Sequence, residues 1–326
     1  NLYDVYIIAD SFQPQTIAQL RQLPIQVLEV SFEKSTKSKA LNHAFGSIIK
    51  LYDIALICDA DNILAKDFLG RINTAFVAGA RAVQGRRVAK NLDSAFAVLD
   101  ACSEGINNNI FRKGANAMGL SSSVIGSGMA FEYANLKQVM AGIEAVGGFD
   151  KIMQLKIVEQ GISIRYLEDA IVFDEKVESS QAFQQQRKRW VSSQFIYLKK
   201  YFEPACKQLL KGNLSYFNLA VANNLVLPRA FLLIILPALI VTGFLLHAAW
   251  GGASIILLLM YLLCLFIALP TELINKDLWA ALNKLPGAIM VMAGTLFGMK
   301  KANKTFIHTI HTKTEINNPS FNEHSH

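Results

Sequence analysis

From Ala230 to Thr271 the chain carries no Asp, Glu, Lys or Arg, a run of 42 residues. A helix crossing the hydrocarbon of a bilayer needs about 20 residues at 1.5 Å each, so the run has the length of two crossings joined by a short turn. His247-Ala-Ala-Trp-Gly-Gly252 supplies the turn, with Trp250 suited to the lipid–water boundary. The alternative is a helical hairpin buried in a soluble core, yet a chain of 326 residues has little interior in which to hide so long an uncharged run. Charged residues make up 17% of the chain and hydrophobic ones 52%. Soluble domains carry about 25% charged residues, so the composition argues against a disordered or purely soluble chain. The net charge of +7 suits anionic lipid or a phosphorylated substrate.

Basic residues orient the run. Lys199, Lys200, Lys207, Lys211 and Arg229 precede it and its internal turn has none, which places residues 1–229 in the cytoplasm. Lys276 and Lys284 follow, then Leu285–Met299, 15 apolar residues that end at Lys300, Lys301 and Lys304. Short for a crossing and basic on both flanks, this segment reads as an interfacial or re-entrant helix, with a tilted third transmembrane helix as the alternative. Residues 300–326 form a cytoplasmic tail, polar and loose from Glu315 onward. The expected location is the cell (inner) membrane, as a multi-pass protein.

Residues 1–181 carry a different pattern. Tyr3-Asp-Val-Tyr-Ile-Ile-Ala9, Gln26-Val-Leu-Glu-Val-Ser31 and Ile54-Ala-Leu-Ile-Cys58 are short β-rich runs, separated by helical stretches at Thr16–Leu23 and Lys39–Lys50. Strands alternating with helices predict an α/β domain with a Rossmann-like, mostly parallel sheet. The chain shows no signal peptide and opens almost directly onto a strand, so it reads as lacking its beginning. Cys58, Cys102, Cys206 and Cys264 form no C-x-x-C pair, which argues for reduced thiols rather than a zinc site or a disulfide framework.

The strand at Ile54 ends in Asp59-Ala-Asp61, two carboxylates on one side of an extended chain. Ligands collect at the C-terminal edge of a parallel sheet, and a carboxylate pair there suits Mg²⁺ or Mn²⁺ with substrate phosphates completing the shell. Helix capping is the plain alternative. Asp10 ends the first strand at a similar edge, where it can accept from a nucleobase, and Lys37 precedes a helix where it can meet a diphosphate. Gln186, Arg189 and Trp190 are spaced i, i+3 and i+4, so a helix places them on one face. A Trp there offers a stacking surface and Arg and Gln offer donors for phosphate or hydroxyls. Asp150, at the N-terminus of a helix ending at Gly161, and Asp169, at the end of a strand, are candidate general bases. Ile125-Gly-Ser-Gly-Met-Ala130 is a small-residue turn that lets a substrate approach the backbone, or a plain tight turn.

These segments together resemble the processive, membrane-embedded family 2 glycosyltransferases, the group of the cellulose, chitin and hyaluronan synthases. The resemblance runs from about Leu2 to Arg229 and through the membrane helices. It rests on Ala9-Asp10, Lys37-Ser-Lys-Ala-Leu-Asn42, Asp59-Ala-Asp61, Gly147-Gly-Phe149 and Gln186-x-x-Arg189-Trp190 in family order. It implies a cytoplasmic GT-A domain over residues 1–181, interfacial helices over 182–229 and two transmembrane helices over 230–271. The implied donor is a UDP-sugar, with Asp10 on the uracil and Lys37 on the nucleotide side. Asp59 then touches the donor and joins Asp61 at Mg²⁺ or Mn²⁺, while Gln186, Arg189 and Trp190 hold the diphosphate and the acceptor.

Such enzymes invert: a base deprotonates the acceptor hydroxyl, which displaces UDP. The implied acceptor is a growing polysaccharide, or a lipid-linked acceptor if a single sugar is transferred. Membrane lipid is the further partner and nucleic acid is not expected. Three features depart from the pattern. The family's first strand is absent, Pro14 stands where an acid is common, and the Glu-Asp base motif is not clean. Counting back from Gly161 favours Asp150 as base with Phe149 in place of the Glu, while Glu168-Asp169 has the right letters after the helix and remains a rival. A non-catalytic membrane assembly module is the reading from another class, and the intact Asp59, Asp61 and Arg189 argue against it.

Overall fold

The computed structural model describes residues 3–145, 147–178, 180–294, 313–319 and 321. Strands β1 (Tyr6–Asp10) and β2 (Gln26–Val30) pair in parallel across α1 (Pro14–Leu20), whose first turn holds Pro14, where a missing N–H costs little. The Thr36 hydroxyl accepts from the Lys39 N–H and so caps α2 (Lys37–Ser47). The apolar run becomes β3 (Ile54–Ile57), followed by β4 (Ile63–Leu64), α3 (Phe68–Val77) and β5 (Ala82–Ala89). Ser94 caps α4 (Ala95–Asn107), which continues through π-helical turns at Asn108–Gly114 into α5 (Ala115–Ala117). Strand β6 (Met129–Glu132), α6 (Tyr133–Met140), α7 (Phe149–Glu159) and β7 (Ile164–Asp174) complete the α/β unit.

The sheet is mixed, not mostly parallel. Five strands lie in the order β3-β6-β5-β7-β4, and only β5 and β7 run parallel within them. Strand β6 is antiparallel to both β3 and β5, and β4 is antiparallel to β7. Alternation of strands and helices foretells crossovers but not strand direction. Here the excursion through α4 and α5 brings the chain back reversed, so β6 inserts between β3 and β5. Strands β1 and β2 form a separate two-stranded sheet.

Met129, Phe131, Leu136, Met153 and Ile157 are fully buried at the centre of the main core. The long α8 (Ser180–Leu210) joins that core through Tyr197 and Ala205. So does α9 (Leu214–Phe217), through Tyr216, and its continuation over Asn218–Ala222 into α10 (Asn223–Leu225) adds Leu219 and Val221. The region expected at the interface is thus packed directly on the α/β unit, with Phe195, Ile196 and Phe202 exposed on its outer side.

Helices α11 (Arg229–Leu246) and α12 (Ala248–Ala268) are long and apolar enough to cross a membrane, at about 27 and 32 Å. They touch where Gly243 meets Gly251: a Cβ on Gly243 would lie 2.9 Å from the Gly251 nitrogen. Their outer faces are uncovered, with Leu245 81% and Ile267 72% exposed, so this hairpin is not the buried core pair that was its alternative. Its base stands on α4. Arg229 donates to Ser103 Oγ (3.1 Å) and Asn107 Oδ1 (2.6 Å), and Pro270 lies over Gly105. Beyond it, α13 (Lys276–Leu282) joins Leu278 and Ala281 to Ala101 and Cys102 in one buried cluster.

Helix α14 (Leu285–Gly294) contacts α8 and α11, while residues 295–299 of the expected third apolar segment lie outside the described residues. The tail differs from the loose segment expected. Asn317 N–H donates to Lys90 O (2.8 Å), Asn318 Nδ2 donates to Ala89 O (2.7 Å), and Phe321 packs edge-on against Phe173. One backbone N–H, one Asn side chain and one aromatic ring therefore return this polar stretch to the end of β5, a pairing that composition does not reveal. The Gly105 contact gives a test of the hairpin base. Gly105→Val should lower stability in detergent by about 1–3 kcal/mol through overpacking, whereas Gly70→Ala, which meets open space, should not. Thermal melts of both variants check this.

Candidate active site

Strand β3 runs into a turn that its own side chains build. The Asp59 N–H donates to Asn62 Oδ1 (3.1 Å) and to Ser127 Oγ (3.1 Å), and Asn62 N–H closes the turn onto Asp59 O (3.1 Å). Ser127 is fully buried between Gly126 and Gly128, whose φ values of 83° and 61° are left-handed and favour glycine. The Gly-Ser-Gly segment thus backs the carboxylate turn. Lys37 opens α2, pairs with Asp59 and donates to Gly126 O (2.8 Å).

A third acid joins the predicted pair. Oxygens of Asp59, Asp61 and Asp174 lie within 4.8 Å of one another. Asp174 ends β7, accepting from Lys176 Nζ (3.0 Å) and Asn62 Nδ2 (3.3 Å), with Arg87 Nε at 3.7 Å. Burial pushes its carboxyl up, but Lys176 and Arg87 outweigh burial and hold it below the usual range, as an anion. Fully buried Lys90 donates to Asp61 O (2.8 Å). Asp174 and Lys90 were not foreseen. The only signal for Asp174 is an acid at the end of an apolar strand, and it becomes meaningful once β7 is known to lie beside β5.

Arg87 also reaches Glu104 Oε2 (2.7 Å), and Arg112 donates to Glu104 Oε1 (3.1 Å) and Asn108 Oδ1 (2.6 Å). Burial alone would raise the Glu104 carboxyl; the two guanidinium groups drive it far below the usual range. This network forms the floor of a cleft of about 1170 Å³. Ligand pockets commonly enclose about 300–1,000 Å³, so there is room for a donor and part of an acceptor. Eight cationic side chains and seven carboxylates line it.

Of the foreseen residues, Lys37, Asp59, Asp61, Asp150, Gln186, Arg189 and Trp190 all line this cleft. Gln186, Arg189 and Trp190 share a face of α8, as their spacing predicts. Burial pulls the Arg189 guanidinium below its usual range, and Gln186 Oε1 is buried with no hydrogen-bond partner among the described residues. The Arg187 guanidinium lies 4.5 Å from the Trp190 ring centroid and pairs with Asp100 of α4. Asp150 sits in the first turn of α7 after Gly148, whose φ is 70°. Burial pushes its carboxyl up, partly offset by Lys151 and Lys37. Asp169 lies elsewhere, with its side chain 79% exposed and 4.0 Å from Arg71. Asp10, which accepts from Ser11 Oγ (3.1 Å), ends β1 outside the cleft lining.

Residues 2–193 match the model of the family described as Glycosyltransferase like family 2. Among solved structures, the chain is similar to a mannosyltransferase from Pyrobaculum calidifontis in complex with GDP-Man and Mn²⁺. The two share 17% identity over 90% of this chain and 78% of that one, with a TM-score of 0.50. At that identity the likeness is one of fold, an α/β GT-A-like glycosyltransferase fold with a mixed sheet. No curated protein sequence matches.

The floor yields a direct test. Glu104→Ala leaves two buried guanidinium groups without their shared anion, and should cost about 3–5 kcal/mol of stability in denaturant unfolding. In the parent protein the Glu104 contribution is present above the ordinary carboxylate range and is lost only as pH falls through its depressed value, in strong acid.

Proposed function

Because the chain belongs to the glycosyltransferase-like family 2, we propose that it transfers a sugar from a nucleotide-sugar donor to an acceptor hydroxyl, with inversion, at a membrane surface. One observation carries this reading: Asp59, Asp61 and Asp174 converge in the same cleft as Asp150 and Arg189. Three carboxylates are hard oxygen donors and fit Mg²⁺ or Mn²⁺. An ion held there supplies positive charge to the departing diphosphate.

The remaining work belongs to the chain's own side chains. Lys37 and Lys176 neutralise the carboxylates and line the same cleft, where they would supply charge to the phosphates of a bound donor. Arg189 adds a desolvated cation and Gln186 Oε1 offers an acceptor for a sugar hydroxyl. Asp150 takes the proton of the attacking hydroxyl, and burial raises its affinity for that proton. Asp10 and Asp169 have no part in this step. The resemblance points to a UDP donor and a growing polysaccharide, with a lipid-linked acceptor as the alternative. The neighbour's GDP-Man makes both nucleotides worth testing.

Membranes carrying the protein, given labelled UDP- and GDP-sugars, should transfer label with Mn²⁺ or Mg²⁺ and stop with a chelator. Asp150→Asn should cut transfer by about 10²–10⁴-fold, and Asp169→Asn should change it little. The wild-type rate should fall away at acid pH above the ordinary Asp value of about 3.9, because the base is lost when its raised pKa is reached. Absence of metal-dependent transfer from every donor, in folded protein, would return the chain to the non-catalytic class.

The membrane location is part of the same proposal. Lys313, Asn317 and Asn318 contact the catalytic domain, which supports placing them on the same side of the membrane as that domain, with α11 and α12 as a pair of crossings. Cysteines introduced after Phe321 and in α3 should then be labelled from the same side of sealed vesicles, with one introduced beside Trp250 labelled from the other.

A further inference from the structure

The cations of the cleft are not alike. Lys37, Lys90, Lys176 and Lys313 each have a carboxylate partner within ion-pair distance. Lys151 has no such ion pair among the described residues. Its Nζ donates to Asn224 Oδ1 (2.9 Å) and faces the Tyr197 ring at 6.0 Å. It also occupies the first turn of α7, where the helix dipole disfavours a cation. Burial pulls its ammonium below the usual Lys range, with only neighbouring Asp150 acting against that. A desolvated cation in such a place is costly unless an anion meets it.

What lies beside it indicates the anion's carrier. Asn224 is buried, and Gln194 Nε2 donates to Asn224 O (2.9 Å) and Val226 O (2.7 Å). That ties the Lys151 shelf to Leu225, Val226 and Leu227, which are 58%, 45% and 37% exposed and lead directly into α11. One end of the cleft therefore holds a cation that Asn224 and Gln194 connect to bare aliphatic side chains at the foot of the hairpin.

We propose that the acceptor is a phosphate-bearing lipid-linked sugar, and that Lys151 takes its phosphate while Leu225–Leu227 border its lipid. The proposal rests on the glycosyltransferase reading above and narrows its acceptor. Lys151 follows Asp150 directly, so the phosphate and the attacking hydroxyl belong to the same short head group. The hydroxyl oxygen forms the new bond to the anomeric carbon and its proton passes to Asp150. The bond from that carbon to the diphosphate breaks, and the electron pair leaves with the nucleoside diphosphate.

The test is equilibrium binding to the full-length chain in detergent, with farnesyl phosphate, farnesol and a soluble trigalacturonate as probes. Farnesyl phosphate should bind at least about tenfold tighter than farnesol, the scale of one charged hydrogen bond. Lys151→Gln should erase that preference and Lys151→Arg should restore most of it. Equal binding of the phosphate and the alcohol by the wild type overturns the proposal, whatever the variants do. So does a preference that survives in Lys151→Gln, or trigalacturonate competing as well as farnesyl phosphate, since the anion is then not lipid-borne. Metal-dependent donor hydrolysis by the wild type separates the two levels. With hydrolysis or transfer present, a failed preference removes only the lipid acceptor; with neither seen from any donor, the enzyme reading falls and the acceptor with it.

Discussion

Glu104 is the buried anion at the centre of the polar face of α4. Two guanidinium groups are buried against it, one from β5 and one from the π-helical turns after α4. Burying an ion costs several kcal/mol, so neither Arg87 nor Arg112 is tolerable there without its partner. The same helix face carries Asp100, Ser103 and Asn107, at the spacing that lines up on one side of a helix. Asp100 pairs with Arg187 of α8, and Ser103 and Asn107 hold Arg229 at the start of the hairpin. One polar stripe thus fixes the sheet, the helix bearing Arg189 and Trp190, and the apolar hairpin relative to one another. Arg87 extends the connection to Asp174, so the carboxylate cluster shares this frame.

How much of this was legible follows from the range of each interaction. The helical face of Gln186, Arg189 and Trp190, and the carboxylates ending β3, are set by spacings of two to four residues, which a sequence displays directly. The uncharged run is equally local. Asp174 belongs to the site only because β7 pairs with β5, a contact between segments some 80 residues apart by position in the chain. Lys90, Glu104 and the docked tail are of the same kind. Strand direction was missed for a related reason, since the reversal of β6 depends on where α4 and α5 deliver the chain. The polar stripe of α4 was present as Asp100, Ser103, Glu104 and Asn107, but on a helix it reads equally well as a solvated face until its basic partners are known.

The cleft's charges explain what kind of ligand it can accept. Its cations and carboxylates are nearly equal in number, and most are already paired. Away from Lys151, a lone anion entering among the paired groups would have to compete for cations that a carboxylate then loses, and a lone divalent cation would strip carboxylates from their lysines. Either change leaves a partly buried charge unmatched, the situation that makes broken ion pairs expensive. A diphosphate arriving with a divalent cation escapes both costs. With both bound, Asp59, Asp61 and Asp174 would hold the ion and the freed lysine charge would meet the phosphate oxygens, so that every charge would keep a partner. Asp59 is suited to that exchange because its partner Lys37 is partly exposed, whereas Asp174 is held by the buried Lys176 and by Arg87. Glu104 is not, since it is clamped by two buried arginines. That contrast separates Asp59, whose pair can exchange, from Glu104, whose pairs hold the fold, with Asp174 joined to both through Arg87.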